Sequence, residues 1–200
     1  MKLEERAEEK KEGLTDIVKG VIQNYDIQNK DEISSAIIDH FVNITPPEME
    51  LRMDLITIRQ GGMGGGSSTK PGNIWLNWRK LLAEGAESIL TVVGAVAVPW
   101  LIPLAGLVVW NKVWSLASIK IDERHAAVIW TMWKNRDEEN CIKNDKVLDL
   151  VNKNLSEYNR PIMNEKELKD ILKDLEEMEC IEATVENKWW LREWVKTTYR

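Results

Sequence analysis

Twenty-four consecutive residues, Ser88 to Asn111, contain no Asp, Glu, Lys, Arg or His. As a helix this run extends about 36 Å, enough to cross a hydrocarbon core of about 30 Å. Core helices of globular domains seldom stay uncharged for so long. Membrane association is therefore the leading expectation, and a buried helical hairpin inside a globular domain is the alternative.

The centre of the run reads Pro99-Trp100-Leu101-Ile102-Pro103. Each proline removes an N–H donor and clashes with the preceding turn, which disfavours a straight span. Two geometries remain, a kinked span or a hairpin with arms Ser88 to Val98 and Leu104 to about Trp114. Each arm reaches only about 16 Å, so the hairpin would be re-entrant. Gly94, Ala95, Ala97, Ala105 and Gly106 are small enough for close helix contact in an assembly of several copies. Arg79 and Lys80 precede the run, and Lys112, Lys120 and Arg124 follow it, so basic residues give no clear inside-outside bias. The N-terminus, Met1 to Gly13, is charged throughout and has no secretory apolar region. The hairpin keeps both flanking parts in the cytoplasm and is the preferred geometry.

Tryptophan supports this reading. The chain has ten Trp against one Phe and three Tyr, and several lie near the ends of the run. Trp favours membrane interfaces because its ring is apolar while its N–H seeks a polar partner. Trp75, Trp78, Trp110 and Trp114 are the expected interface residues. Ile74 to Leu82 predicts an interfacial helix, with Trp75, Trp78 and Leu82 on one face.

Upstream, Leu14, Ile17, Val18, Val21 and Ile22 recur at helical spacing, as do Ile33, Ile37, Ile38, Phe41 and Val42. Two amphipathic helices follow, the second capped by Asn29 or Asp31 and stopped by Pro46-Pro47. Met49 to Asp54 alternates as a short strand does, and the phase then breaks. Residues 61–72 are rich in glycine and serine and predict a linker. They lack the order of a phosphate-binding loop, because Lys70 follows the hydroxyls and precedes a proline.

Downstream, three helices are marked by Ala126, Ile129, Trp130 and Trp133, by Val147, Leu148, Val151, Leu155 and Tyr158, and by Leu168, Ile171, Leu172 and Leu175. Asn164 and Glu167 form a capping-box-like start for the third. Ile181, Ala183 and Val185 then alternate, Asn187-Lys188 turns, and Trp189 to Val195 returns. Three helices followed by a hairpin resemble the winged-helix fold, over about residues 123–200 and by pattern rather than by an invariant motif. In DNA-binding members of that fold the third helix enters the major groove, which would assign nucleic-acid contacts to Lys166, Lys169 and Lys173.

Charge weighs against that assignment. The chain carries 27 Lys and Arg against 33 Asp and Glu, and residues 122–200 carry 14 against 18. A phosphate-binding surface is therefore disfavoured and a protein-binding module is the default. No catalytic, cofactor-binding or metal-binding residue emerges. His40 and His125 lack ligand partners at metal spacing, Asp137-Glu138-Glu139 reads as a solvated turn, and Cys141 and Cys180 stand alone, which fits a reducing compartment. No small-molecule substrate is implied.

The expected chain is mainly α with a small β-hairpin. An N-terminal helical region spans 1–60, a linker 61–72, an amphipathic helix with an apolar hairpin or kinked membrane span 73–121, and a winged-helix-like domain 122–200. The expected function is that of a non-enzymatic, membrane-associated protein with cytoplasmic interaction domains, self-assembling or membrane-perturbing. A membrane-tethered DNA-binding regulator and a soluble adaptor with a buried apolar hairpin are the alternatives.

Overall fold

Leu14, Val18 and Ile22 recur every fourth residue and form the buried stripe of α1 (Leu3–Ile22). Ile33, Ile37, Ile38 and Phe41 do the same for α2 (Lys30–Phe41), which packs on α1. Both N-terminal helices thus fall where the periodicity predicts them, except that the second ends at Phe41, with Val42 already extended, and not at Pro46-Pro47. Asn29 occupies the N-cap of α2 in a left-handed conformation and its side chain makes no cap hydrogen bond. Its carbonyl instead accepts the Ile33 amide at 3.1 Å. The computed structural model describes residues 3–25, 29–50, 68–84, 98–114 and 119–199.

From Phe41 the chain passes straight into β1 (Val42–Thr45). Next come β2 (Glu48–Glu50), β3 (Ser68–Lys70) and β4 (Gly72–Asn77). β2 and β3 pair antiparallel, with Glu48 opposite Lys70. The expected strand Met49–Asp54 is seen only as far as Glu50, since 51–54 lie outside the described residues. Of the expected linker, 61–67 lie outside them, whereas Ser68–Lys70 and Gly72 belong to paired strands.

β4 carries a correction to the expected interfacial helix. Ile74 to Asn77 is strand, and only at Trp78 does α3 (Trp78–Glu84) begin. Tertiary pairing explains the difference, because β4 is the central strand of a sheet ordered β1-β4-β8, where β8 spans Trp194–Tyr199. Gly72, Ile74 and Leu76 are buried in alternation, the period-2 signature of a strand with one covered face. A Cβ on Gly72 would lie 2.5 Å from the Thr45 carbonyl oxygen and 2.5 Å from a ring carbon of Tyr199. That close approach lets the Tyr199 hydroxyl donate to the Thr45 carbonyl at 3.0 Å and tie β8 to β1.

The apolar run reappears at Val98 and forms α4 (Leu101–Trp114). Pro99 and Trp100 make the turn before it, and the Leu104 amide donates to the Trp100 carbonyl at 2.9 Å. Pro103 therefore stands in the first turn, where a missing N–H costs nothing. The prolines open this helix, so it begins at Leu101 and not at Leu104. Leu101 through Leu107, Val109 and Trp110 are buried, and α4 packs on α1, on α3 and on the helix that follows it. Ser88 to Ala97, the expected first arm, lies outside the described residues. Among the described residues no helix is long and apolar enough to cross a membrane.

The remaining chain runs α5 (Glu123–Lys134), β5 (Cys141–Lys143), α6 (Asn144–Glu157), α7 (Glu165–Glu177), β6 (Ile181–Ala183), β7 (Lys188–Leu191) and then β8. β5, β7 and β6 make an antiparallel sheet in that order. His125 through Met132 are all buried, so α5 is covered nearly all round, by α4 on one side and by α6 and α7 on others. The expected returning strand Trp189–Val195 is two strands: β7 ends at Leu191, and β8 crosses to β4. The fold is mainly helical with small antiparallel sheets, as expected in outline.

Candidate functional site

The four tryptophans expected at an interface do different things. Trp78 is 0% exposed and Trp110 1%. The Trp110 indole N–H donates to the Met178 carbonyl at 2.8 Å, joining α4 to the end of α7. Trp114 packs on Trp110 with ring centroids 5.3 Å apart. Trp75 is half-buried on β4, with the Lys196 ammonium 4.2 Å above its ring. Trp78 and Trp110 are thus core residues, because a bulky ring is as well served by protein neighbours as by lipid. Trp100, at the start of α4, is also 0% exposed and sits edge-on to Trp130 and Tyr158.

The small residues divide likewise. Ala105 and Gly106 are buried inside this chain, and a Cβ on Gly106 would come within 2.6 Å of Leu81. They permit close packing of α4 against α3. Gly94, Ala95 and Ala97 lie outside the described residues.

Four consecutive residues at the start of α5 form a polar hub. Asp122 caps the helix, accepting the amides of Arg124 at 3.0 Å and His125 at 3.3 Å. Glu123 Oε1 accepts from the Trp100 indole at 2.9 Å and from Arg160 at 3.1 Å. Arg124 pairs with Glu167 of α7. His125 is 6% exposed, with Nδ1 2.7 Å from Asp122 Oδ1 and Nε2 3.3 Å from Asp174 Oδ2. A protonated imidazolium satisfies both carboxylates by donating from both nitrogens. Burial opposes that charge, but the hydrogen bonds and charges of Asp122 and Asp174 outweigh it and raise the His125 pKa. The hydrogen bond from His125 in turn holds the Asp122 carboxyl below its ordinary range.

This hub joins α5 to α7, to the turn before α4 and to the loop after α6, and acts as a structural staple. Sequence reading missed it because Asp174 is distant in the chain, although Asp122 three residues before His125 was a visible half of the signal. Among the described residues no group of three His, Cys, Asp or Glu is placed to hold a metal ion. Cys141 and Cys180 are both buried, and burial raises both thiols, Cys180 well above its ordinary value. Neither is primed as a thiolate nucleophile.

A groove of about 460 Å³ opens between α6, α7 and β7. Leu148, Leu168, Leu172 and Trp189 form its apolar lining, and Asp145, Glu165 and Lys169 lie among its polar lining. Its tryptophan wall is held in place. The Trp189 indole donates to Asn144 Oδ1 at 2.9 Å, and the Asn144 backbone amide donates to the Asn187 carbonyl at 3.1 Å. These bonds fasten the β6–β7 turn to the first residue of α6.

Lys166, Lys169 and Lys173 are exposed on α7 and make no ion pair among the described residues. Three acids of α7 are engaged elsewhere: Glu167 pairs with Arg124, Asp174 with His125, and Glu176 accepts the Ala183 amide at 3.3 Å. The chain matches no protein-family model, and neither the curated proteins nor the solved structures include a match to it.

Proposed function

We propose that this is a non-enzymatic adaptor that binds another protein through a C-terminal winged-helix module, with α4 as the core that supports it. The observation that carries the reading is the enclosure of α4. Leu101 through Leu107 are buried, and the Trp100 and Trp110 indoles donate to Glu123 and to the Met178 carbonyl, inside the fold. Drawing α4 into a bilayer would break both bonds and uncover α1, α3 and α5. A partner protein suits the module's acidic balance and the preformed groove beside Trp189.

The winged-helix reading is supported by element order: helix, strand, helix, helix, strand, turn, strand, with the first strand beside the last in the sheet. Flotation of the full chain with anionic lipid vesicles, without detergent, tests the adaptor against membrane association. The adaptor stays in the dense fraction. A chain that floats and resists a carbonate wash makes the re-entrant, membrane-perturbing reading the better one.

A second reading, DNA binding by α7, has one observation in its favour. Three of the helix's acids are engaged within the module, which leaves Lys166, Lys169 and Lys173 exposed and unpaired among the described residues. It requires duplex binding that weakens steeply with salt and is lost when the three lysines are replaced by alanine.

A further inference from the structure

The protein-binding reading above leaves the partner's chemistry open, and the inference here rests on that reading. We infer that the groove between α6, α7 and β7 docks a basic segment of a partner protein that presents one large apolar side chain flanked by Lys or Arg.

The groove offers an anchor point and a charge to match it. Leu168 and Leu172 are 5% and 4% exposed and make a closed apolar floor, while Leu148 and Trp189 stand half-exposed as walls. An apolar side chain entering between them displaces water from surface already shaped to receive it. Trp189 is held through its indole bond to Asn144, so little conformational freedom is lost on docking.

Asp145 and Glu165, from the starts of α6 and α7, are exposed and engage no partner among the described residues. Lys169 is the single basic residue in the lining. Two free carboxylates against one ammonium, on a module that carries 14 basic and 18 acidic residues, select a cationic partner.

The test uses the full chain and three fluorescent synthetic peptides of about a dozen residues. One places a single Trp among Lys and Arg, the second replaces that Trp with Ala, and the third replaces the basic residues with Glu. Anisotropy should show saturable binding of the first, roughly tenfold weaker binding of each of the others, and a similar loss in the Asp145→Lys, Glu165→Lys double variant. Both replaced side chains are exposed first-turn acids, so charge reversal should lower the melting temperature slightly and leave the chain folded at the temperature of the assay. Hydrogen exchange should slow at 144–148 and 165–172 on binding.

No binding of the first peptide, or binding that the double variant leaves unaltered, overturns the inference. Protection confined to another surface overturns this groove while sparing the protein-binding reading. Peptides that fail while duplex DNA binds, and releases on Lys166→Ala, Lys169→Ala, Lys173→Ala replacement, remove both.

Discussion

Nε2 of His125 lies 3.3 Å from Oδ2 of Asp174, so a residue in the first turn of α5 is tied to one near the end of α7 across the interior of the C-terminal module. With Nδ1 held at 2.7 Å by Asp122, the ring links its own helix cap to a neighbouring helix.

Stability should depend on pH through this ring. The His125 pKa is raised in the folded state, so its contribution is complete below the unfolded value of about 6.5 and is lost as pH rises through the folded value. Asp122 is shifted down, so its share is complete above about 3.9 and disappears as pH falls through its folded value. Between those limits His125→Gln should cost about 2 kcal/mol, the worth of hydrogen bonds to charged groups. Thermal melts across a pH series should show the gap between wild type and variant narrowing as pH rises past the unfolded value of about 6.5. A gap that is constant with pH removes the imidazolium from the account.

Gly72 should tolerate no side chain. A Cβ there would lie 2.5 Å from the Thr45 carbonyl oxygen, which is backbone of the adjoining strand and cannot swing aside. Gly72→Ala should destabilise by about 2–3 kcal/mol as an overpacked site. Tyr199→Phe, which removes only the hydroxyl bond to Thr45, should cost about 1 kcal/mol. Urea unfolding of the two variants reads both, and equal costs would contradict the steric argument.

Two buried tryptophans should answer differently to the same replacement. The Trp110 indole donates to the Met178 carbonyl, whereas the Trp78 indole N–H makes no hydrogen bond among the described residues. Trp110→Phe leaves the buried Met178 carbonyl with only the weak donor of the Cys180 thiol at 3.6 Å, and Trp78→Phe removes an unsatisfied donor. Both lose similar volume, so Trp110→Phe should be the costlier by about 1–2 kcal/mol in denaturant titrations.

Leu107→Lys separates a core helix from a lipid-facing one. Leu107 is 0% exposed in α4. An unpaired ammonium there should cost about 3–5 kcal/mol, enough to unfold a marginal domain. Near-ultraviolet circular dichroism should lose its tryptophan bands. A variant that keeps those bands while releasing from membranes would place α4 in lipid.

Much of the helical framework was legible because its cause is local. Leu14, Val18 and Ile22 repeat at the helical period whatever they pack against, as do Val147, Val151 and Leu155 on α6. The cap on α7 was legible for the same reason, since Asn164 needs only the Glu167 amide, 2.9 Å away. Ile74, Leu76 and Trp78 also fall at every second position, a strand signal that the helical reading of Trp75, Trp78 and Leu82 passed over.

Nothing in the groove beside Trp189 was legible as a site, because its lining comes from α6, α7 and β7, which meet only in the folded chain. Sequence by itself determined the amphipathic helices, the cap of α7, the composition break ahead of β4 and the uncharged character of the run that becomes α4. Tertiary structure alone decided that α4 is enclosed by protein, that β4 is a central strand, and that β8 leaves β7 to pair with it. The physical reason is that hydrophobicity records an aversion to water and does not name the neighbour that replaces it. The pairing of β4 with β8, likewise, depends on an edge contributed by residues 117 to 127 positions away in the chain, as when Gly72 meets Tyr199.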